Sequence, residues 1–239
     1  MLESLLLDGL LDQDGGDQMN TNDIENLFLQ HGSSKTNNEE FDKSGFVFVK
    51  KMIDPKLLVT EVPEVRGQYH YYGDETKFTY TEQEEQVPGS LSRYYYPGYK
   101  ESHMRLKKSI EEIIGKKLYQ TYYYDRFYFE NTDLKKHFDR DACEISVTIH
   151  IGTNMKKKWP FWIKNGDGND CACYLEPGDG VIYKGCERLH WRDPMPYKSF
   201  KLFGKKLFSK EDIYYHQAFF HYVLSDGSRA HYAFDKGNN

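Results

Sequence analysis

"HFDRDACEISVTIHIG", residues 137–152, sets two polar side chains ahead of a run that alternates apolar and polar from Ile145 to Ile151. Alternation of period two is the mark of a β-strand, and residues two apart on an extended chain point to the same side. His137 and Asp139 are two apart, so an imidazole and a carboxylate stand together at the mouth of a buried strand. Such a pair can grip a divalent cation if a third ligand arrives from elsewhere.

The rest of the chain decides what kind of fold brings that ligand in. From Leu118 onward the apolar period is two: "YQTYYYDRFYFE", "CEISVTIHIG", "WPFWIKN", "DCACYLE", "GVIYKG", "RLHWRD" and "HQAFFHYVLSD" are strand-like runs. "NTD", "NGDGND" and "EPGDG" punctuate them as turns. Seven or eight short strands with no long helix among them predict a sandwich or barrel. Ahead of them, "HMRLKKSIEEIIGKKL" is the strong helix, with Leu106, Ile110, Ile113 and Ile114 at helical spacing and Gly115 as its stop. "SGFVFVKKMI" reads as a strand, and "DPKLLVTEV" as a helix start with Asp54 as N-cap and Pro55 in the first position. Helices first and strands later predict a mainly β fold with flanking helices packed on one sheet.

Residues 1–44 are polar and Asp/Asn/Gly-rich, which predicts a flexible N-terminal arm, with a short helix in "NDIENLFLQHG"; residues 45–239 are then the folded domain. The net charge is −5, which gives no electrostatic footprint for nucleic acid. No apolar run reaches the length of a membrane span, and the apolar start carries Glu3 and Asp8 without a basic region, unlike a secretory signal. The 4 cysteines (Cys143, Cys171, Cys173, Cys186) lack zinc-knuckle spacing and read as reduced thiols of a cytoplasmic protein.

In "KGCERLHWRD", His190 lies in a strand-like run that follows the turn and strand "EPGDGVIYKG". Two imidazoles and one carboxylate on one face leave further metal positions open, the facial arrangement of non-heme Fe(II) oxygenases. The order H-x-D, strands, P-G-D turn, strand, His suits a double-stranded helix, whose first and seventh strands lie close.

At these residues the chain resembles the 2-oxoglutarate/Fe(II)-dependent dioxygenases, in the prolyl-hydroxylase-like group, from about Gly45 to Phe234. "YYYDRFYFENTDLKKHFDRDACEISVTIHIG" is similar to that group's first core strands, "LEPGDGVIYKGCERLHWRD" to its P-G-D turn and distal His, and "YHQAFFHYVLSDG" to its last core strand. The resemblance implies a double-stranded β-helix (jelly-roll, cupin-like) core. It implies His137, Asp139 and His190 as ligands of Fe(II), with 2-oxoglutarate and O2 as cosubstrates, succinate and CO2 as products, and a hydroxylated C–H bond, of a protein or peptide side chain by analogy with the group. The family's basic residue at the start of the last core strand is missing; that strand opens with His216 and Gln217. Arg192, two past His190 and on the same side, is the preferred anchor for the far carboxylate of 2-oxoglutarate. Lys198, Lys201 and Arg140 are the alternatives, with Gln217 nearby and Tyr122 or Tyr124 as hydroxyl partner. The Tyr-rich region 69–98 reads as a lid. The competing reading is a non-catalytic, cupin-like ligand- or partner-binding domain with a vestigial metal site.

Overall fold

A computed structural model describes residues 35–197, 201–202, 205–206 and 212–235. The helix expected in 22–32 and Lys198 lie outside the described residues. Helix α1 (Lys35–Ser44) and strand β1 (Phe46–Val49) come first, followed by the hairpin β2 (Gly67–Tyr72) and β3 (Asp74–Thr81), strand β4 (Leu91–Tyr94) and helix α2 (Lys100–Ile114). Eight further strands form the barrel: β5 (Leu118–Phe129), β6 (Leu134–His137), β7 (Ile145–Thr153), β8 (Phe161–Lys164), β9 (Asp170–Cys173), β10 (Gly180–Lys184), β11 (His190–Arg192) and, after the small ribbon β12 (Lys201–Leu202) and β13 (Lys205–Lys206), β14 (Tyr214–Leu224).

The main sheet runs β1-β10-β7-β14-β5-β4-β2-β3 and the smaller one β6-β11-β8-β9. Four strands of each close a double-stranded β-helix, as the period-two pattern predicts. Alternation along β5 and β14 sorts their side chains. Tyr122, Tyr124 and Tyr128 of β5 meet Tyr215 and Phe219 of β14 in the barrel interior. Tyr123 and Phe220 instead join the outer core, where Leu106, Ile110, Ile113 and Ile114 of α2 cover the sheet. The predicted stop at Gly115 is observed: it takes φ 66° and caps α2 by donating to Glu111 O, a conformation glycine adopts at little cost.

Three expectations need correction. The helix predicted after Asp54 is a single 3-10 turn, Pro55–Leu57, although Asp54 does cap it by accepting from Lys56 N. Residues 69–81 are not a lid but the edge hairpin β2–β3, which extends the main sheet beyond β5 through β4. His137 does not open the strand of Ile145; it ends β6, the second barrel strand, and β6 rather than the first strand pairs with the seventh, β11. The physical reason is a crossing: the chain leaves the small sheet after His137, makes the 3-10 turn Asp141–Cys143, and enters the main sheet at Ile145. Helix α1, within the stretch read as arm, lays Phe41 fully buried in the outer core. No helix among the described residues is long and apolar enough to cross a membrane.

Candidate metal centre

The crossing is what assembles the cluster. His137 at the end of β6 and His190 at the start of β11 are direct register partners, which brings their rings to 4.2 Å between centroids. Asp139 sits on the crossing itself, held by its backbone N–H donating to Gly185 O at 3.0 Å. Its Oδ1 lies 3.6 Å from His137 Nε2 and 3.4 Å from His190 Nε2. One ligand atom from each of the three residues falls within 4.8 Å of the other two. The His190 side chain is 2% exposed and that of His137 24%, so the cluster opens to solvent on the His137 side.

Both imidazoles are oriented the same way. His137 Nδ1 donates to Lys135 O at 2.7 Å and His190 Nδ1 to Arg188 O at 2.8 Å. A carbonyl can only accept, so each Nδ1 carries a proton and points away, and both Nε2 atoms face the cluster. Backbone carbonyls that fix the tautomer are the usual outer support of metal-binding histidines. Asp139 is supported too: Ser146 Oγ donates to Oδ2 at 2.7 Å, leaving Oδ1 to the imidazoles. Burial alone would raise the Asp139 pKa, but His190 and the contacts with both imidazoles outweigh it and hold the carboxyl well below its usual range. Gly185 leaves room for this arrangement, because a Cβ there would lie against Asp139 Oδ2 and Cys143 O and 2.7 Å from Ser146 Oγ. Two imidazoles and one carboxylate suit a divalent first-row ion, so the residues present fit iron. Asp139 also groups with Cys143 and His221, but burial, and then the Asp139 charge, lift the Cys143 thiol well above its ordinary value against the opposing pull of Tyr122 OH, which lies 3.2 Å from the sulfur, and this disfavours the thiolate a metal needs.

The other sequence-derived residues divide. Arg192 and Gln217 are brought together: Arg192 Nε donates to Gln217 Oε1 at 3.1 Å, Nη1 to Trp159 O at 2.7 Å and Nη2 to Tyr215 OH at 3.4 Å. Gln217 in turn donates to Thr148 Oγ1. Arg192 is 1% exposed, a guanidinium carried inside the barrel two residues from His190. Tyr122 is turned away from it, against Cys143 and under the Arg140 guanidinium, 4.2 Å from its ring centroid. Tyr124 stacks on Phe219 at 4.5 Å and on Tyr94 at 4.7 Å. Lys201 lies on the β12–β13 ribbon, outside both barrel sheets.

Sequence reasoning missed four residues. Tyr215 is the hydroxyl beside Arg192. Arg126 is fully buried, pairs with Glu84 at 2.5 Å, and keeps Nε and Nη1 without a hydrogen-bond partner; Tyr128 OH is likewise buried and unpartnered. Gln86 lies against His137, with Nε2 to Nε2 at 3.1 Å. Parity was the available signal for Arg126 and Tyr128, since both share the face of Tyr122 and Tyr124.

The geometry now stands beside known structures. No family model matches the sequence, and no curated protein matches it. Among solved structures, a prolyl hydroxylase from Trichoplax adhaerens in complex with a hypoxia-inducible-factor peptide fragment is similar, with a TM-score of 0.51 at 8% identity over 83% of this chain and 89% of that one. The fold is that of the 2-oxoglutarate/Fe(II) oxygenases. A non-heme α-ketoglutarate-dependent epimerase from nogalamycin biosynthesis gives 0.51 at 10% identity over 80% and 82%. HygX from Streptomyces hygroscopicus, solved with nickel and 2-oxoglutarate bound, gives 0.50 at 8% identity over 79% and 87%. The double-stranded β-helix is therefore shared with oxygenases of different chemistry at identities where sequence comparison is silent.

Proposed function

We propose that the protein is an Fe(II)- and 2-oxoglutarate-dependent dioxygenase that hydroxylates a C–H bond, with a protein or peptide side chain as substrate. The reading is carried by one observation. Two imidazoles, tied by Nδ1 to backbone carbonyls, turn their Nε2 atoms onto the carboxylate of Asp139.

His137, Asp139 and His190 would hold the iron. Bound there, it supplies the redox chemistry that couples O2 and 2-oxoglutarate to hydroxylation, with succinate and CO2 released. The chain's own residues do the rest. Arg192 is the cation for the far carboxylate of 2-oxoglutarate, and Tyr215, whose hydroxyl Arg192 already meets, is its hydroxyl partner. Gln217 orients the guanidinium from one side and Trp159 O from another, so Arg192 is preorganised before any ligand arrives. Phe161 and Tyr183 pack around His190, at 5.6 and 4.8 Å between centroids, and exclude water from the buried side.

The peptide class rests on the inner face of the main sheet, which does not stop at the barrel wall. His70 of β2, Tyr94 of β4, Tyr124 of β5 and Phe219 of β14 stack in succession at 6.1, 4.7 and 4.5 Å. This cross-strand aromatic ladder runs from Tyr124 and Phe219, buried in the barrel interior, to the half-buried Tyr94 and His70 near the edge hairpin, and this outer end offers an extended chain a place to lie. The prolyl hydroxylase it resembles in fold was solved with a peptide.

The direct test is an anaerobic titration of the protein with Fe(II) and 2-oxoglutarate, watching for the visible charge-transfer band of the chelate. The band should form in the wild type, be absent in His190→Ala, and need at least tenfold more 2-oxoglutarate in Arg192→Gln. A wild type that binds Fe(II) and gives no band with 2-oxoglutarate excludes the oxygenase reading.

A further inference from the structure

The segment between β3 and β4 reaches the candidate metal cluster. Gln86 Nε2 lies 3.1 Å from His137 Nε2, the nitrogen that faces the cluster. Gln86 is exposed, and an exposed loop glutamine ordinarily samples many rotamers. This one is held at both ends. Its Oε1 accepts from Arg126 Nη2 at 3.0 Å. Its backbone runs between Glu84 and Val87, both 1% exposed; Val87 packs in the inner core with Tyr122 and Tyr124. Glu84 closes the clamp, with Oε1 accepting from Arg126 Nη2 at 2.5 Å and Oε2 accepting from Val87 N.

This clamp settles which end of the amide faces the cluster. A guanidinium donates and cannot accept, so Arg126 selects the carbonyl oxygen and leaves the NH2 group toward His137. The imidazole is compatible with this, because with its Nδ1 proton given to Lys135 O its Nε2 can accept. An amide NH2 has no lone pair to ligate a metal. A cation that takes the lone pair of His137 would displace the N–H of Gln86 from that acceptor, and with Oε1 tethered to Arg126 the amide would have to find its new acceptor close by.

We infer that Gln86 is a hydrogen-bond donor to whatever acceptor occupies the open metal position facing the 82–90 segment, aimed there by the buried Arg126–Glu84 pair. The inference rests on the proposed metal site and goes beyond it by adding a residue from outside the barrel to the centre. It selects for ligands that accept a hydrogen bond while bound to metal, a small anion or an oxygen donor, and against ligands with no acceptor free.

The experiment needs no turnover. The full chain is loaded with Co(II), whose visible absorption reports coordination, and titrated with azide as a small anionic probe. Gln86→Ala should bind Co(II) within about twofold of wild type and azide about tenfold more weakly, the loss expected for one hydrogen bond to a charged acceptor. Gln86→Glu tests the orientation argument. One carboxylate oxygen should stay with Arg126 and the other should become a fourth protein ligand, so that Co(II) binds at least tenfold more tightly and azide no longer perturbs the spectrum. Equal azide affinity in wild type and Gln86→Ala overturns the inference while leaving the three-residue site intact. A wild type that binds no Co(II) removes the metal site itself, and this inference with it.

Discussion

Two histidine–aspartate clusters lie on opposite sides of the main sheet, and they are built to opposite ends. On the outer side His216 Nε2 meets Asp125 Oδ2 at 2.7 Å, Arg93 pairs with the same carboxylate, and Tyr99 OH donates to it at 3.0 Å. Every polar group there is turned on another, and all four side chains are 5% exposed or less. On the inner side the imidazoles stand 3.4 and 3.6 Å from Asp139 and direct their hydrogens backward, to carbonyls of their own strands. The same residue types make a sealed joint in one place and a candidate grip for a cation in the other. What separates a metal site from a structural ion pair is where the second nitrogen of each imidazole goes.

The contrast breaks most sharply on His190. His190→Ala should reduce Fe(II) or Co(II) binding by well over 100-fold, beyond what loss of an outer partner costs, while the thermal midpoint of the metal-free protein stays close to wild type; equilibrium dialysis with metal analysis reads the first and calorimetry the second. Asp125→Ala should do the reverse. It strands Arg93 without its counter-charge and His216 without its hydrogen-bond partner and should cost about 3–5 kcal/mol in denaturant unfolding, with the metal affinity of the surviving fold kept.

Acid should also act through the outer side. Burial lowers His103 to about 3 and lowers His216, while burial works to raise Asp125 but is outweighed by Arg93 and His216, so that its carboxyl falls well below the usual range. For a depressed imidazole the unfolded chain takes up a proton near pH 6.5 that the native state refuses, so stability is full above that pH and is lost as pH falls toward the native value. The carboxylate adds a loss of the same sign below about pH 4. Unfolding free energy should therefore be flat above pH 7 and fall by about 2–3 kcal/mol on account of His103 by pH 4.5, with His216 adding a loss of the same sign; a His103→Gln variant with an unchanged slope would remove that residue from the effect. The smallest expected change is at Gly185. Gly185→Ala places a methyl against Asp139 Oδ2 and should weaken metal binding about 10–100-fold, as disturbed support of a ligand does.

Legibility in the sequence followed the range of the interaction. The three candidate ligands were readable because an H-x-D pair on an extended chain needs no partner to define its geometry, and Arg192 because it shares the side of His190. The β6 strand was not readable. "LKKH" is four residues with one apolar side chain, and only pairing with β11 makes it a strand. Tyr122 and Tyr124 were correctly placed on one face, yet which end of that face meets Arg192 depends on barrel closure, and Tyr215 on β14 is the residue that reaches it. Gln86 sits in a polar stretch with no period at all. Its position is dictated by Glu84 and Arg126, 42 residues apart along the chain, a separation no local pattern encodes. Asp125 and His216 were invisible as a pair for the same reason, lying 91 residues apart.

The crossing between His137 and Ile145 has a mechanical corollary. His137 and His190 belong to the small sheet, whereas Asp139 is anchored to Gly185, beside β10, and to Ser146 of β7, both on the large one. An ion seized by all three works as a rivet through two plates, so slippage of one sheet over the other and release of the ion become a single event. Resistance to heat should then climb with the logarithm of free metal above its dissociation constant.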